Sequence, residues 1–170
     1  MHSALGANDP TLTSVDCMYG GITTQDIQNL IHSLRNNTIL TNLNLHRNKI
    51  GPDSVSQALK ENKALTNLSL MNNYISSDGA RALAEALKIN TTLISLDLRT
   101  NDLGPDGAQV LLESVQKNYA TVEISTSNPE LCQKLLELCS INKAYKEKTY
   151  KLLDKLKESG ALTEQEGGFF

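Results

Sequence analysis

The chain has 170 residues, 39% of them hydrophobic, enough for one continuous core, and no Gly/Ser-rich linker divides it. A formal net charge of -3 and a pI near 5.6 give no general attraction to nucleic acid, and no basic stripe with interleaved aromatics runs through the repeated part of the chain. No run reaches the roughly 18 apolar residues of a membrane span. Met1 to Pro10 lacks the basic and apolar regions of a secretory signal, so a cytoplasmic protein is expected.

A leucine-spaced unit recurs along most of the chain. It starts weakly as Leu12, Val15, Cys17 and Ile22, and becomes strict at Leu40-Thr41-Asn42-Leu43-Asn44-Leu45-His46-Arg47-Asn48-Lys49-Ile50. It returns from Leu65 to Ile75 and from Leu93 to Leu103. Leu12 to Leu40 and Leu65 to Leu93 each span 28 residues, whereas Leu40 to Leu65 spans 25. Leu-x-x-Leu-x-Leu alternates apolar and polar as a half-buried strand does. After the strands, Ile27, Leu30, Ile31 and Leu34, then Ala80, Leu83, Ala84 and Leu87, then Ala108, Leu111, Leu112 and Val115 recur at helical spacing. Each unit is therefore strand, turn and helix. The three residues missing from the second unit fall in its helix, where Val55, Ala58 and Leu59 remain.

The punctuation agrees with this division. Gly51-Pro52-Asp53 and Gly104-Pro105-Asp106 sit where helices begin, since proline suits the first helical position and aspartate the positive end of the helix dipole. Gly79 and Gly107 are expected to allow close backbone packing. Asn48, Asn73 and Asn101 occupy one position just after each strand, where an amide can satisfy backbone groups that the turn leaves unpaired. They read as a structural ladder and not as a site. The first unit has Gly20 at this position, and Thr121-Val122-Glu123-Ile124-Ser125-Thr126 runs on to Pro129, so both ends read as caps.

Leu-x-x-Leu-x-Leu-x-x-Asn-x-Ile/Leu, followed by Gly-x-x-Gly/Ser-Ala/Val and a helix ending near Asn-x-x-Leu, resembles the ribonuclease-inhibitor-like class of leucine-rich repeats. The likeness covers roughly residues 12 to 127. It implies an α/β solenoid, a short horseshoe with a parallel sheet inside and helices outside. It also implies a non-catalytic protein that grips a folded partner with the inner face of the sheet, as inhibitors of enzymes in this class do.

Strand alternation places the residues between the leucines on that inner face. Ser14, Asn42, Asn67 and Ser95 form one column, Asp16, Asn44, Ser69 and Asp97 a second, and Met18, His46, Met71 and Arg99 a third. The third column and its neighbours Tyr19, Arg47, Lys49, Asn72 and Tyr74 carry the large side chains. Aromatic, Met and Arg residues are enriched at interfaces, so the expected partner-binding set is Met18, Tyr19, His46, Arg47, Met71, Asn72, Tyr74, Asp97 and Arg99. Five strands about 4.8 Å apart span only about 19 Å. A standard interface uses roughly 20 to 30 residues a side, so loops or the C-terminal segment are expected to contribute.

Cys17, Cys132 and Cys139 are an odd number without metal-ligand spacing, and suit a reducing compartment as buried thiols. A Cys-His nucleophile pair, with Cys17 or His46, would have to be assembled by the fold alone. With no phosphate-cradling glycine loop, HExxH or Gly-x-Ser-x-Gly, no catalysis, cofactor or metal is expected.

From Asn128 the periodicity changes. Asn128-Pro129-Glu130 is a helix start, and Leu131, Leu135, Leu138, Asn142, Tyr145, Thr149, Leu152 and Leu156 follow an alternating four-three spacing. That spacing fits a self-assembling coiled-coil seam or a pair of helices capping the core, and the cap is the expected form, leaving a monomer. Lys143, Lys146, Lys148, Lys151, Lys155 and Lys157 interleave with Glu147, Asp154 and Glu158, which reads as a salt-bridged surface. The expected organisation is repeats over 1–127, a helical cap over 128–158 and a flexible acidic tail over 159–170. Acidic residues followed by Phe169-Phe170 resemble the C-terminal translocation signals of type IV-secreted bacterial effectors. The resemblance implies delivery into a host-cell cytosol.

Overall fold

Among the described residues, five strands alternate with five helices in the order the leucine spacing predicts. The computed structural model describes residues 8–18, 24–50, 52–118 and 123–158. In chain order these hold β1 (Ser14–Asp16), α1 (Thr24–Asn36), β2 (Asn42–Asn44), α2 (Pro52–Glu61) and β3 (Asn67–Ser69). There follow α3 (Ser77–Leu87), β4 (Ser95–Asp97), α4 (Gly104–Lys117), β5 (Glu123–Ser125) and α5 (Pro129–Glu158). Tyr19, Gly20, Ile22, Gly51 and the tail 159–170 lie outside the described residues.

The strands form one parallel sheet in the order β1-β2-β3-β4-β5. The register pairs Val15, Leu43, Leu68, Leu96 and Ile124 side by side on the buried face. The leucines on either side of each strand, Leu40, Leu45, Leu65, Leu70, Leu93 and Leu98, are also buried. Each such side chain contributes about 1.5–3 kcal/mol on leaving water. The helices close the other side with Leu30, Ile31 and Leu34, Val55, Ala58 and Leu59, Ala80, Leu83, Ala84 and Leu87, then Leu111 and Val115. Strands repeat at about 4.8 Å and packed helices at about 8–10 Å, so the layers cannot match and the stack curves with its sheet inside. Where helices come closest, small residues make room. A Cβ on Gly107 would stand 2.8 Å from Cβ of Ala80 on α3. Gly104, at φ +61, turns the chain into α4. Among the described helices, that of the shortened repeat, α2, is the shortest, with 10 residues.

The expected asparagine ladder is present. Asn73 donates through Nδ2 to the Leu45 carbonyl at 2.9 Å, and its Oδ1 accepts from the amides of Asn48 at 3.0 Å and Ile50 at 3.1 Å. Asn101 repeats this one unit on, donating to the Leu70 carbonyl and accepting from Asn73 and Ile75. A second ladder runs along the opposite edge, where the helices end. Asn62 donates to the carbonyls of Leu34 and Asn37, and its Oδ1 accepts from Ala64 and Leu65. Asn90 does the same with Leu59 and Asn62, and with Thr92 and Leu93. Asn118 donates to Leu87 and Asn90, and Asn142 of α5 to Val115 at 3.0 Å and Asn118 at 3.2 Å.

The C-terminal segment is one continuous helix of 30 residues, where a pair was expected. The amide of Leu131 donates to Oδ1 of Asn128, which caps the helix start. Leu131, Leu135 and Cys139 bury against the last repeat, and Asn142, polar in an apolar spacing, is the final rung of the second ladder. No helix turn or break is needed there, because the asparagine is used for hydrogen bonding.

Asn90→Ala would leave two carbonyls and two amides of adjoining repeats without partners. At about 1–3 kcal/mol for each buried group left unpaired, a loss of roughly 3 kcal/mol or more is expected. Asn142→Ala, at the half-buried end of the ladder, is expected to cost about 1 kcal/mol. Urea unfolding of both variants checks the ranking.

Candidate functional site

The strand register aligns Ser14, Asn42, Asn67, Ser95 and Glu123 in one column and Asp16, Asn44, Ser69, Asp97 and Ser125 in the next. The second column is occupied by local bonding that alternation does not reveal. Oδ1 of Asp16 accepts from the Met18 amide at 2.9 Å, Oδ1 of Asn44 from the His46 amide at 3.1 Å, and Oδ1 of Asp97 from the Arg99 amide at 3.0 Å. These side chains fasten the turns that leave β1, β2 and β4, an Asx arrangement. Asp97, placed in the partner-binding set from sequence, serves first as this turn fastener.

Arg99 is tied to it. Nε donates to Oδ1 of Asp97 at 2.9 Å and an Nη to Oδ2 at 2.7 Å, a two-point contact. Burial by itself would raise the Asp97 carboxyl. The hydrogen bonds from the Arg99 side chain and backbone, with the charges of Arg99 and His46, outweigh it and hold the carboxyl below its ordinary value. The same hydrogen bond and the Asp97 charge raise Arg99. Arg99 therefore presents a guanidinium of fixed orientation.

The third column stands one step beyond. The Arg47 amide donates to the Met71 carbonyl at 3.1 Å and the Asn72 amide to the Arg99 carbonyl at 3.0 Å, which sets His46, Met71 and Arg99 in neighbouring turns. Met18 is 42% exposed, Arg47 and Arg99 are exposed, and His46, Met71 and Asn72 are half-buried. Arg47, Asn72 and Thr100 take positive φ at one repeat position, and Lys49 (φ 52) and Tyr74 (φ 59) at another. A left-handed backbone is costly for a side chain as large as tyrosine. Asn101 holds it there, its Oδ1 accepting from Asn73 and Ile75 on either side. Tyr74 is thus 74% exposed on a clamped backbone. The geometry brings His46, Met71, Asn72, Tyr74 and Arg99 to one edge, with Met18 at its first-repeat end.

The cysteines are placed for packing. Cys17 and Cys139 are buried and Cys132 half-buried, all as thiols and not in disulfides. Burial, then the Asp16 charge, raises the Cys17 thiol, the reverse of nucleophile activation. Cys17 lies in the buried strand-end column with Leu45, while His46 faces the concave side. Burial, helped by Glu123, pushes Cys139 up to about 11. Among the described residues, no group of three His, Cys, Asp or Glu is placed to hold a metal ion, and no helix is long and apolar enough to cross a membrane.

This is a leucine-rich-repeat fold. Residues 61–84 and 90–112 match the family model described as Leucine Rich repeat. No curated protein matches the chain. Among solved structures it is similar to "Leiomodin-1 Actin-Binding Site 2 (ABS2)", with a TM-score of 0.77 and 21% identity, over 92% of this chain and 95% of that one. It is also similar to a tropomodulin C-terminal domain from a Caenorhabditis elegans structural genomics study. There the TM-score is 0.73 and the identity 15%, over 90% of this chain and 96% of that one. At these identities the likeness is one of fold.

Because the folded Cys139 thiol keeps its proton up to about 11, the unfolded chain loses that proton first as pH rises. Stability therefore falls from the ordinary thiol range toward pH 11. The urea midpoint of the wild type is expected to drop more steeply there than that of Cys139→Ala, and parallel profiles would contradict the assignment.

Proposed function

We propose that this chain is a non-catalytic protein-binding module that seats a folded partner on the concave sheet edge formed by Met18, His46, Arg47, Met71, Asn72, Tyr74 and Arg99. The observation that carries this reading is the exposure of Tyr74 on a backbone clamped in the left-handed region, on the same edge as a guanidinium already oriented by Asp97. Groups ordered before association lose less entropy on binding, and Tyr and Arg are the side chains that concentrate binding energy. Actin is the first partner to test, because the leiomodin-1 structure of the same fold is an actin-binding site. Where the partner is an enzyme, occlusion of its cleft by this edge is the proposed consequence.

Met71→Ala/Tyr74→Ala/Arg99→Ala is expected to weaken binding at least tenfold with little change in melting temperature. Co-sedimentation with filamentous actin and quantitative affinity capture from the native cell read it. Unchanged affinity would remove the concave edge as the site. A partner other than actin, lost only with the variant, would keep the edge and replace the partner.

Delivery into a host cytosol is a separate proposal, resting on the sequence of the tail. A chain lacking 159–170 is expected to stay behind in a translocation assay, and one that still crosses overturns it.

A further inference from the structure

The second half of α5 has no counterpart in the repeats. α4 has 14 residues and α5 has 30. The first 14 of α5 end at Asn142, which bonds the C-terminal end of α4 through Val115 and Asn118. The remaining residues, 143–158, run on past that end for about 24 Å at 1.5 Å per residue. Helices in this stack run from the edge where strands end to the edge where strands begin. The arm therefore leaves the molecule opposite the His46, Met71 and Arg99 edge, and a role for it is independent of binding at that edge.

The arm carries the α5 packing seam into solvent. Tyr145, Thr149 and Leu152 continue the spacing of Leu131, Leu135, Leu138 and Asn142, and Ile141, Tyr145 and Leu152 are 63%, 65% and 58% exposed. At 100° per residue, Lys146 borders this stripe on one side and Lys148 and Lys155 on the other, while Glu147, Asp154 and Glu158 share the opposite face. Among the described residues, the salt-bridged surface expected from sequence does not form. Among the described residues, the ion pair on α5 is Lys134 with Glu130, and none involves the lysines from 143 to 155. A helix of this length without tertiary contacts is marginal in water, so an apolar, lysine-bordered arm gains from an occupant.

Three occupants can be weighed. In a second copy the positions beside the seam are Ile141, Lys146, Lys148, Leu153 and Lys155, so two arms would set lysine against lysine with no carboxylate between. A flat bilayer is blocked, because the seam faces the side on which α4 and the earlier repeats stand. A plane laid along it would cut through them. A single helix, about 10 Å wide, can lie along the exposed stripe, where acidic residues bordering its apolar face would meet Lys146, Lys148 and Lys155. We propose that residues 141–155 form a docking site for an amphipathic helix of another protein, its apolar stripe bordered by Asp and Glu.

The test uses the full chain and two fluorescein-labelled 21-residue heptad peptides with Leu at a and d. One carries Glu at e and g, the other Lys. Anisotropy at low salt is expected to show one-to-one binding of the Glu peptide and at least tenfold weaker binding of the Lys peptide. Lys146→Glu/Lys148→Glu/Lys155→Glu and, separately, Tyr145→Ser/Leu152→Ser are each expected to lose at least tenfold. Met71→Ala/Tyr74→Ala/Arg99→Ala is expected to bind as wild type, and all variants to melt as wild type. Equal binding of both peptides, retained binding by the arm variants, or loss only in the concave variant overturns the proposal. So does a dimer in sedimentation that Tyr145→Ser/Leu152→Ser abolishes, which assigns the arm to a second copy. Arm-dependent binding to phosphatidylserine vesicles with no peptide binding overturns it as well and assigns the arm to a membrane.

Discussion

Every repeat of a solenoid turns the chain twice, and each turn brings backbone amides and carbonyls into a region where water cannot serve them. That constraint is met here by asparagine. Its side chain offers an acceptor and two donors in a plane, so one residue can close its own turn and still reach the carbonyls of the preceding unit. Asn73 and Asn101 do this where strands end and Asn62 and Asn90 where helices end, while Asn118 and, within α5, Asn142 reach back to carbonyls of the preceding unit. Leucine burial supplies most of the driving force, but it is nearly indifferent to sliding one repeat against the next. Directional bonds between repeats fix the register that burial leaves open.

Much of this was legible because leucine spacing reports the strand period and the helical stripe independently, and the two agreed. One ladder was legible too, since Asn48, Asn73 and Asn101 stand at a constant distance after a strand. The other was seen only as punctuation at helix ends. Asn37, Asn62 and Asn90 precede a leucine by three, whereas Asn118 and Asn142 precede Thr121 and Tyr145, so the motif fades where the ladder continues. Asn142 consequently looked like a flaw in an apolar seam. It is a rung, and its hydrogen bonds to α4 explain why α5 passes through it without a break.

The candidate face was legible in its columns and not in their chemistry. Alternation tells which side chains share a side of a sheet, but not what each does with its polar atoms. Asp16, Asn44 and Asp97 share one column of the inner face, of which Asp97 was expected to meet a partner, while each is engaged by the amide two residues on. That local bonding leaves the next column, where His46, Met71 and Arg99 stand, as the one the sequence already favoured for its large side chains. The αL positions of Arg47, Asn72 and Tyr74 were equally invisible, since none is glycine and only the ladder's grip on the flanking amides makes them tolerable.

The two ladders also give the molecule two different edges. Where strands end, the backbone is clamped and side chains of mixed character are held in fixed directions, which suits a preformed partner surface. Where helices end, the ladder stops at Asn142 and the last helix continues without lateral support, which suits an element that orders together with its occupant. Six lysines and three carboxylates fall in 143–158 of a chain whose net charge is -3, so the arm is basic and the remainder acidic. Charges separated by more than about 8–10 Å are largely screened at physiological salt, so the two edges act on their surroundings separately. A standard interface patch of roughly 800 Å² per partner covers one of these edges with part of the sheet, and not both. On the two proposed sites, the solenoid would act as a spacer whose width is set by three-residue strands and whose two rims differ in chemistry.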